Sequence, residues 1–265
     1  MKLFVVSDLH GHYKELIKAL KKAEFDENND NHLLISLGDM FDRGQDSVLV
    51  YEYLKKLSDK KKAICLKGNH EPMFISYLKG SDNPFNFKYN GTKETIDDFL
   101  CQTHAFEMYL IKNEKEATIE SFGEFIKEAS AEIKKEFPGI VNWLEKLPYY
   151  FETEHYIFTH GSIDVFADDW KNPHCIYQGR SGWDDCTWDN GSFFGSEINN
   201  TDKTVVIGHF DTGQLRRKYK LGDVSDHSIL RRKDGRVIAI DGCVTYSKVV
   251  NVLVIDDENI DSDLK

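Results

Sequence analysis

The chain has 265 residues, of which 40% are hydrophobic and 30% are charged, as is typical of a soluble globular protein. Its formal net charge of −11 argues against nonspecific binding to nucleic acid or to anionic membranes, because both need a basic surface. It does not exclude an anionic substrate, since bound metal ions can invert the local field of an acidic site. We therefore expect no nucleic-acid and no membrane partner, and the oligomeric state stays open.

The cysteines and the N-terminus indicate a cytoplasmic protein. The five cysteines are widely spaced and include no C-x-x-C pair, which disfavours a zinc-ribbon or thioredoxin fold. Reduced thiols are the simplest explanation of their positions. The apolar run at residues 1–7 is too short for a signal peptide and is interrupted by Asp8 and His10. No stretch approaches the roughly 20 apolar residues of a membrane helix.

The first 80 residues alternate between apolar runs typical of buried strands and patterns with helical spacing. Strands are predicted at 2–7, 33–37 and 63–67, and helices at 13–23, 46–57 and 71–78. This β-α-β-α-β order predicts parallel strands with helical crossovers. In such sheets ligands bind beyond the carboxyl ends of the strands.

Residues 82–150 are densely charged and have weak strand signals, while their apolar residues recur at helical spacing. We predict a helical insertion that covers one edge of the site. It is either a structural cap or a source of substrate contacts from Lys88, Lys93 or His104, and nothing in the sequence selects these three.

The strand pattern returns after the insertion. Further strands are predicted at 156–159, 204–207, 236–240 and 249–255. Between them, residues 168–200 are rich in Asp, Trp, Gly and Asn and are predicted to form a long ordered loop. We expect one domain over residues 1–265.

Five short polar motifs stand at the ends of apolar runs. In chain order they are Asp8-Leu9-His10-Gly11, Gly38-Asp39-Met40-Phe41-Asp42-Arg43-Gly44, Gly68-Asn69-His70-Glu71, Thr159-His160-Gly161 and Ile207-Gly208-His209. Their carboxylate, imidazole and amide groups suit two divalent ions about 3.5–4 Å apart, which hold a hydroxide and clamp a phosphate. The lack of thiolate ligands disfavours a structural zinc site.

The spacing of the motifs suggests how two ions share these ligands. Asp8 and His10, two residues apart at a strand end, can face one ion, and Asp39 can bridge both. The coordination of the second ion can be completed by three later residues, Asn69, His160 and His209. Each residue alone also has a structural explanation; Asn69, for example, could cap the helix that follows it.

The residues and the order of the motifs resemble those of the calcineurin-like metallophosphoesterase superfamily. Within it they are similar to the phosphoprotein-phosphatase branch, which includes bacterial and phage serine/threonine phosphatases and symmetrical diadenosine tetraphosphatases. Two departures, Ser7 for the first glycine and Ser162 after His160-Gly161, remove no ligand. The resemblance implies an α/β fold with a central β-sandwich flanked by helices (αββα) and a helical insertion.

The resemblance also implies roles for the remaining motif residues. His70 would be the general acid for the leaving oxygen, oriented by Asp42, and Arg43 would hold the phosphoryl oxygens together with Asn69. A histidine paired with a carboxylate is suited to donate a proton, and a guanidinium matches the geometry of a phosphate.

The family usually supplies a second phosphate-binding arginine before the last histidine. Arg180 is the candidate here, and Arg216 and Arg217, just after His209, are the competitors.

These observations predict a metal-dependent phosphomonoesterase that acts through a hydroxide activated by two ions, with phosphoserine or phosphothreonine proteins as substrates. Manganese is the expected metal, with iron or zinc as alternatives. The nearest alternative function is hydrolysis of dinucleoside polyphosphates or of another small phosphorylated metabolite, with the insertion and residues 168–200 as a lid. A nuclease or phosphodiesterase is disfavoured by the Arg43 motif and the acidic charge, and a non-catalytic binding protein by the intact set of ligands, acid and arginine.

Overall fold

The computed structural model describes residues 1–256 except 82, 175, 178 and 179, and it describes 176 and 177 by backbone only. Residue 82, the first of the predicted insertion, and residues 257–265 of the predicted domain therefore lie outside the described part. The strands are β1 (Lys2–Val6), β2 (His32–Ser36), β3 (Ala63–Cys65), β4 (Tyr150–Glu152), β5 (Tyr156–Thr159), β6 (Ile176–Tyr177), β7 (Arg180–Ser181), β8 (Thr204–Ile207), β9 (Leu230–Arg231), β10 (Val237–Ala239) and β11 (Leu253–Asp256). The helices are α1 (Tyr13–Lys22), α2 (Ser47–Asp59), α3 (His70–Leu78), α4 (Pro84–Tyr89), α5 (Thr92–Phe99), α6 (Ala105–Lys112), α7 (Ile119–Glu136), α8 (Ile140–Glu145), α9 (Trp183–Cys186), α10 (Thr212–Tyr219) and α11 (Val244–Ser247).

Two mixed sheets form the centre of the fold. The first has the strand order β11-β1-β2-β3, in which β1, β2 and β3 are parallel and β11 is antiparallel. The second has the order β4-β5-β8-β10-β9, in which β5, β8 and β10 are parallel and both edge strands are antiparallel. The predicted parallel arrangement of the first three strands is confirmed.

The two sheets pack face to face around a shared apolar core. On β1, Leu3 and Val5 join Phe158 of the second sheet in this core, whereas Phe4 and Val6 face the helices on the opposite side. A strand with a two-residue period presents alternate side chains to opposite faces in this way. Because both faces of β1 are buried, its sequence is a continuous apolar run.

Helices cover the outer faces of both sheets. On the first sheet, Leu16 of α1 and Leu54 of α2 pack in the same cluster as Phe4. On the second sheet, Leu215 of α10 packs in a cluster with Val205 of β8. The predicted αββα fold is therefore confirmed. Within the described chain, every helix is too short or too polar to traverse a lipid bilayer.

Five helices, α4 to α8, lie within the predicted insertion 82–150. Their aromatic rings pack against one another, as Phe87 does with Phe122 at a centroid distance of 4.9 Å. Phe99 of α5 connects them to the rest of the chain, because its ring lies 5.1 Å from that of Phe74 in α3. The helical prediction is confirmed, and these helices share the outer core of the first sheet. Their role as a cap stays a prediction.

Some predicted strands are longer than the observed ones. β3 ends at Cys65, β10 covers three residues of the predicted 236–240, and β11 begins only at Leu253. Leu66 and Ile240 are buried between the sheets without belonging to a strand. Their apolar character extended the strand pattern into the turns that follow.

Other short elements were not predicted. β4 closes the insertion at residues 150–152, where a half-buried edge strand of three residues offers no alternation to detect. The predicted loop 168–200 contains β6, β7, α9 and a 3₁₀ turn at Phe193–Gly195. Elements of two to four residues are stabilised by their tertiary surroundings rather than by a local pattern.

The sandwich core predicts a large difference between two phenylalanines. Phe158→Ala should lower the free energy of unfolding by about 3–5 kcal/mol, because Phe158 is completely buried between the sheets. Phe166→Ala should change it by less than about 0.5 kcal/mol, because Phe166 is 94% exposed. Urea unfolding followed by circular dichroism measures both. Equal effects of the two substitutions would contradict this assignment of the core.

Candidate functional site

The predicted metal-binding side chains meet at the carboxyl ends of strands from both sheets. They follow β1, β2 and β3 of the first sheet and β5 and β8 of the second. In chain order they are Asp8, His10, Asp39, Asn69, His160 and His209. All except His209, which is partly exposed, are buried. The tertiary structure thus joins residues from the two halves of the chain in one site.

The backbone at the site is strained. Six predicted site residues have a positive φ angle, from +42° at His10 to +73° at Asp42. The six are Asp8, His10, Asp39, Asp42, Arg43 and His209. Each such residue costs about 1–3 kcal/mol and persists only where the surrounding structure holds it. Hydrogen bonds between the turns provide this support, as when the His10 N–H donates to the Asp39 carbonyl at 2.9 Å.

A buried glutamate holds two of these turns together. The Glu71 carboxylate accepts hydrogen bonds from the backbone N–H groups of Gly68 (2.7 Å), Asp39 (3.1 Å) and Met40 (2.8 Å). It therefore fixes the turn after β2 against the turn after β3. The sequence analysis placed Glu71 in a motif without giving it a role. The only signal was a glutamate between two apolar runs.

Asp39 lies between two groups of potential metal ligands. One group contains His10, Asp39 and His70 and the other Asp39, His160 and His209, with the ligand atoms of each group within 4.8 Å of one another. Asp39 Oδ2 lies 3.7 Å from His10 Nε2, and Asp39 Oδ1 lies 3.3 Å from His160 Nε2. Each carboxylate oxygen thus faces a different group, which is the geometry a bridging ligand needs.

Two histidines are oriented as metal ligands usually are. His10 Nδ1–H donates to the Phe41 carbonyl at 2.8 Å, and His160 Nδ1–H donates to the Leu37 carbonyl at 3.1 Å. Such bonds fix the orientation of each ring and direct Nε2 at the site. His160 Nε2 lies 3.0 Å from Asn69 Oδ1.

Asn69 does not cap the helix that it precedes, because its side chain makes no capping hydrogen bond to α3. The structural alternative considered for this residue is therefore wrong, and its amide oxygen is directed at the His160 ring.

The electrostatic environment sets the charges of the three histidines. Burial and the Arg43 guanidinium hold the pKa of His10 well below its usual value, and burial and His160 lower the pKa of His209 to about 3. Burial acts in the same direction on His160, but the Asp39 carboxylate outweighs it and raises the pKa of His160 to about 9. Two of the rings are thus held neutral, the form in which imidazole binds metal.

Asp8 belongs to neither three-residue group. Its Oδ2 accepts hydrogen bonds from the His209 backbone N–H at 2.8 Å and from the Ser7 hydroxyl. It lies in the site and ties the turn after β1 to the turn after β8. Its role as a ligand of the first ion stays a prediction.

The predicted acid and arginine lie beside the same cluster. His70 Nδ1 is 2.6 Å from Asp42 Oδ2, and Arg43 donates through Nη2 to His70 Nε2 at 3.1 Å and through Nη1 to His10 Nε2 at 2.7 Å. Burial alone would lower the pKa of His70, but the Asp39 and Asp42 carboxylates raise it above its usual value. His70 therefore has one nitrogen held by Asp42 and the other directed at the site.

The Trp188 ring lies between Arg180 and the cluster. Its guanidinium carbon is 4.7 Å from the centre of the Trp188 ring, and that ring is 6.2 Å from the ring of His209. Arg180 Nε is also 4.0 Å from an Asp185 carboxylate oxygen. Trp188 is a neighbour of the site that the sequence analysis did not single out.

Other basic residues considered in the sequence analysis are engaged elsewhere or exposed. Both terminal nitrogens of Arg216 are used, in hydrogen bonds to Thr212 and Ser228 and in an ion pair with Asp226 at 3.1 Å. These contacts disfavour Arg216 as a phosphate ligand. Arg217 and His104 are exposed on the surface. Lys93 pairs with Asp97 at 2.8 Å, and Lys88 lies over the Tyr89 ring.

The model of the family described as calcineurin-like phosphoesterase matches residues 1–240. The chain belongs to this family. The resemblance deduced from the motifs is thereby confirmed. Divalent metal ions are expected in this family, and the donor set around Asp39 fits them because each carboxylate oxygen faces a separate pair of imidazoles.

Curated relatives match the chain over part of its length. Over 100 residues it is 36% identical to the symmetrical bis(5'-nucleosyl)-tetraphosphatase of Buchnera aphidicola subsp. Schizaphis graminum, which covers 38% of this chain and 33% of that protein. Over 81 residues it is 38% identical to serine/threonine-protein phosphatase 1 of Salmonella typhimurium, which covers 31% of this chain and 35% of that protein. The chain thus spans about a third of the length of these relatives, 33% and 35%.

A solved structure is similar over nearly the whole chain. The cold-active protein-tyrosine phosphatase of a psychrophilic Shewanella species aligns with a TM-score of 0.54 at 17% identity and covers 97% of this chain and 75% of that one. At this level of identity the likeness shows the fold alone.

The shared position of Asp39 predicts the metal content of a variant. Asp39→Asn should leave well under one ion per chain where the native protein holds about two, because both groups lose a charged ligand. Mass spectrometry of manganese-loaded, desalted protein measures this. Asp164→Asn, which changes a buried carboxylate in neither group, is the control and should retain both ions. Unchanged metal content in Asp39→Asn would rule out the bridging role.

Proposed function

We propose that this chain is a metal-dependent phosphomonoesterase that removes phosphate from phosphoserine or phosphothreonine in proteins. The observation that carries the hydrolytic part is the position of the Asp39 carboxylate between two groups of imidazoles, beside the fork of Arg43. The oxygen and nitrogen donors suit manganese, with iron or zinc as alternatives. The four described cysteines are free thiols, which supports the cytoplasmic location that we propose.

The proposed ligands divide between two ions. The first ion would be held by Asp8, His10 and Asp39 and the second by Asp39, Asn69, His160 and His209. When bound, such a pair neutralises phosphoryl charge and makes water a stronger nucleophile.

The proposed role of Arg43 is to bind the phosphoryl group. Its two terminal nitrogens now donate to ring nitrogens of His10 and His70, both of which face the cluster. A guanidinium with its fork at this position can donate two parallel hydrogen bonds to phosphoryl oxygens, and its charge is permanent. Asn69 and Arg180 are proposed as further phosphate contacts, the latter by way of its position next to Trp188.

The proposed role of His70 is to donate a proton to the leaving oxygen as the phosphorus–oxygen bond breaks. Asp42 accepts Nδ1–H, so Nε2 is the nitrogen that would carry the donated proton, once the Arg43 hydrogen bond that it now accepts has passed to the phosphoryl oxygens. The raised pKa of His70 favours the protonated ring that this step requires.

A cavity beside the site supports a protein substrate. It has a volume of about 330 Å³. Its lining includes Trp188 and Ser162, which is two residues after His160 in the chain. Among the described residues that line it, three are aspartates and none is basic. The three are Asp164, Asp185 and Asp189. An acidic wall repels the extra phosphates of a dinucleoside polyphosphate and attracts basic residues of a protein.

Dinucleoside polyphosphate hydrolysis is the second candidate function. It is favoured by the 36% identity over 100 residues to a protein named as a symmetrical bis(5'-nucleosyl)-tetraphosphatase. The same ligands, acid and arginine would serve both reactions, so the choice depends on what surrounds the phosphoryl group rather than on the cluster itself.

A paired assay distinguishes the two substrates. Manganese-loaded protein should hydrolyse a phosphoserine peptide with flanking arginines with a higher kcat/KM than diadenosine tetraphosphate, and than the same peptide with flanking glutamates. A preference of about tenfold corresponds to about 1.4 kcal/mol of charge interaction. A preference for the dinucleotide would support the second candidate, and no hydrolysis of either substrate would refute both.

A histidine variant tests the proposed acid. His70→Asn should lower kcat on the phosphoserine peptide by about 10²–10⁴-fold, because the leaving oxygen loses its proton donor. The metal content should stay at the native level. The exposed His155 provides the matched control, and His155→Asn should have native activity. A loss of metal in His70→Asn would instead assign His70 to the ligands of the first group.

A further inference from the structure

The start of helix α5, in the insertion, contacts the turn that carries Asp42 and Arg43. The Gly91 carbonyl accepts a hydrogen bond from the Arg43 N–H at 3.1 Å. A Cβ atom on Gly91 would lie 2.5 Å from that nitrogen, so this approach requires glycine. The insertion therefore touches the turn through its backbone, next to the two residues proposed to handle the proton and the phosphate.

Two threonines of α5 bond directly to Asp42. The Thr95 hydroxyl accepts from the Asp42 N–H at 2.8 Å and donates to Asp42 Oδ1, also at 2.8 Å. The Thr92 hydroxyl donates to Asp42 Oδ2 at 3.2 Å, the oxygen that lies 2.6 Å from His70 Nδ1. Asp42, Thr92 and Thr95 are completely buried. Both carboxylate oxygens thus have a hydroxyl donor from the insertion.

These contacts restrict the carboxylate in two ways. Hydrogen bonds to both oxygens restrict rotation of the Asp42 carboxylate about its Cβ–Cγ bond. They therefore fix the direction in which Oδ2 meets His70. The bond from the Asp42 N–H supports a residue whose φ of +73° is unfavourable on its own. With water excluded, Thr92 and Thr95 supply the hydrogen bonds that solvent gives an exposed aspartate.

We propose that Thr92 and Thr95 are positioning residues for the Asp42–His70 pair, so that the helical insertion is part of the proton-transfer machinery and not only a structural cap. The proposal rests on the proposed function, in which His70 protonates the leaving oxygen. The three-residue spacing of the threonines puts both on one face of α5, while Ile96 and Phe99 anchor the helix in the outer core.

The test compares substrates whose leaving groups differ in their need for a proton. Phosphoserine leaves as an alkoxide and needs one, whereas p-nitrophenyl phosphate leaves as a stable phenolate. Because a general acid contributes about 10²–10⁴-fold, partial misplacement in Thr95→Val or Thr92→Val should lower kcat on the phosphoserine peptide by about tenfold. On p-nitrophenyl phosphate the same variants should lose less than about threefold. Thr95→Ser restores the hydroxyl and should restore the peptide activity.

Ser130→Ala is the matched control. Ser130 is a buried hydroxyl of the same insertion, and it donates to the Lys127 carbonyl within its own helix. Its removal should leave the ratio of the two activities at the native value.

A second readout does not depend on turnover. The proton shared between His70 Nδ1 and Asp42 should give a strongly deshielded signal in the NMR spectrum of the zinc-loaded protein, because the contact is only 2.6 Å long and diamagnetic zinc, unlike manganese, does not broaden nearby signals. The signal should move or broaden in Thr95→Val and Thr92→Val and stay in place in Ser130→Ala. If the native protein hydrolyses no phosphoester, the proposed function fails and this signal alone decides the positioning role.

Several outcomes would overturn the proposal. One is an equal loss on both substrates with an unchanged signal, since that indicates a purely structural role for the threonines. Another is native behaviour of both valine variants. Should Thr95→Val fail to fold, Thr92→Val decides, because the Thr92 hydroxyl bonds to the Asp42 side chain and its loss leaves the bond from the Asp42 N–H to Thr95 intact.

Discussion

The Glu71 carboxylate is the contact on which the site depends most. Three backbone N–H groups converge on it and lock the turn after β2 to the turn after β3. Those turns contain left-handed residues that an isolated chain would avoid, among them Asp39 and Asp42. The strain is tolerated because the sandwich and the hydrogen bonds hold it in place, and in return the functional side chains point at one another. The strained turns thus lower the stability of the fold, but they bring the side chains of the site together.

The site also depends on the packing of the two sheets. The ligand candidates before residue 70 follow strands of the first sheet, and His160 and His209 follow strands of the second. The bond from the His160 ring to the Leu37 carbonyl crosses between them, as does the bond from the His209 N–H to Asp8. The apolar core between the sheets therefore sets the distances among the ligands.

The insertion joins the outer core of the first sheet to a turn of the site. Its aromatic residues pack into the outer core of the first sheet, which fixes α5 against the turn that carries Asp42 and Arg43. Residues between Ser162 and Ser196 line an acidic cavity that has Trp188 in its wall. Two segments with no regular place in a βαβ pattern thus lie next to the cluster, one beside Asp42 and Arg43 and one beside Trp188.

The sequence alone determined the parallel strands, the layered fold, the helical nature of the insertion and the residues that gather around Asp39. These follow from short-range features, namely the period of apolar residues and ligand types at strand ends. Only the tertiary structure decided that Asn69 faces His160, that Arg216 is engaged elsewhere and that Thr95 bonds to Asp42. Thr95 and Asp42 are 53 positions apart, and Leu37 and His160 are 123 apart. Contacts over such separations leave no local pattern, because they are set by how the elements pack.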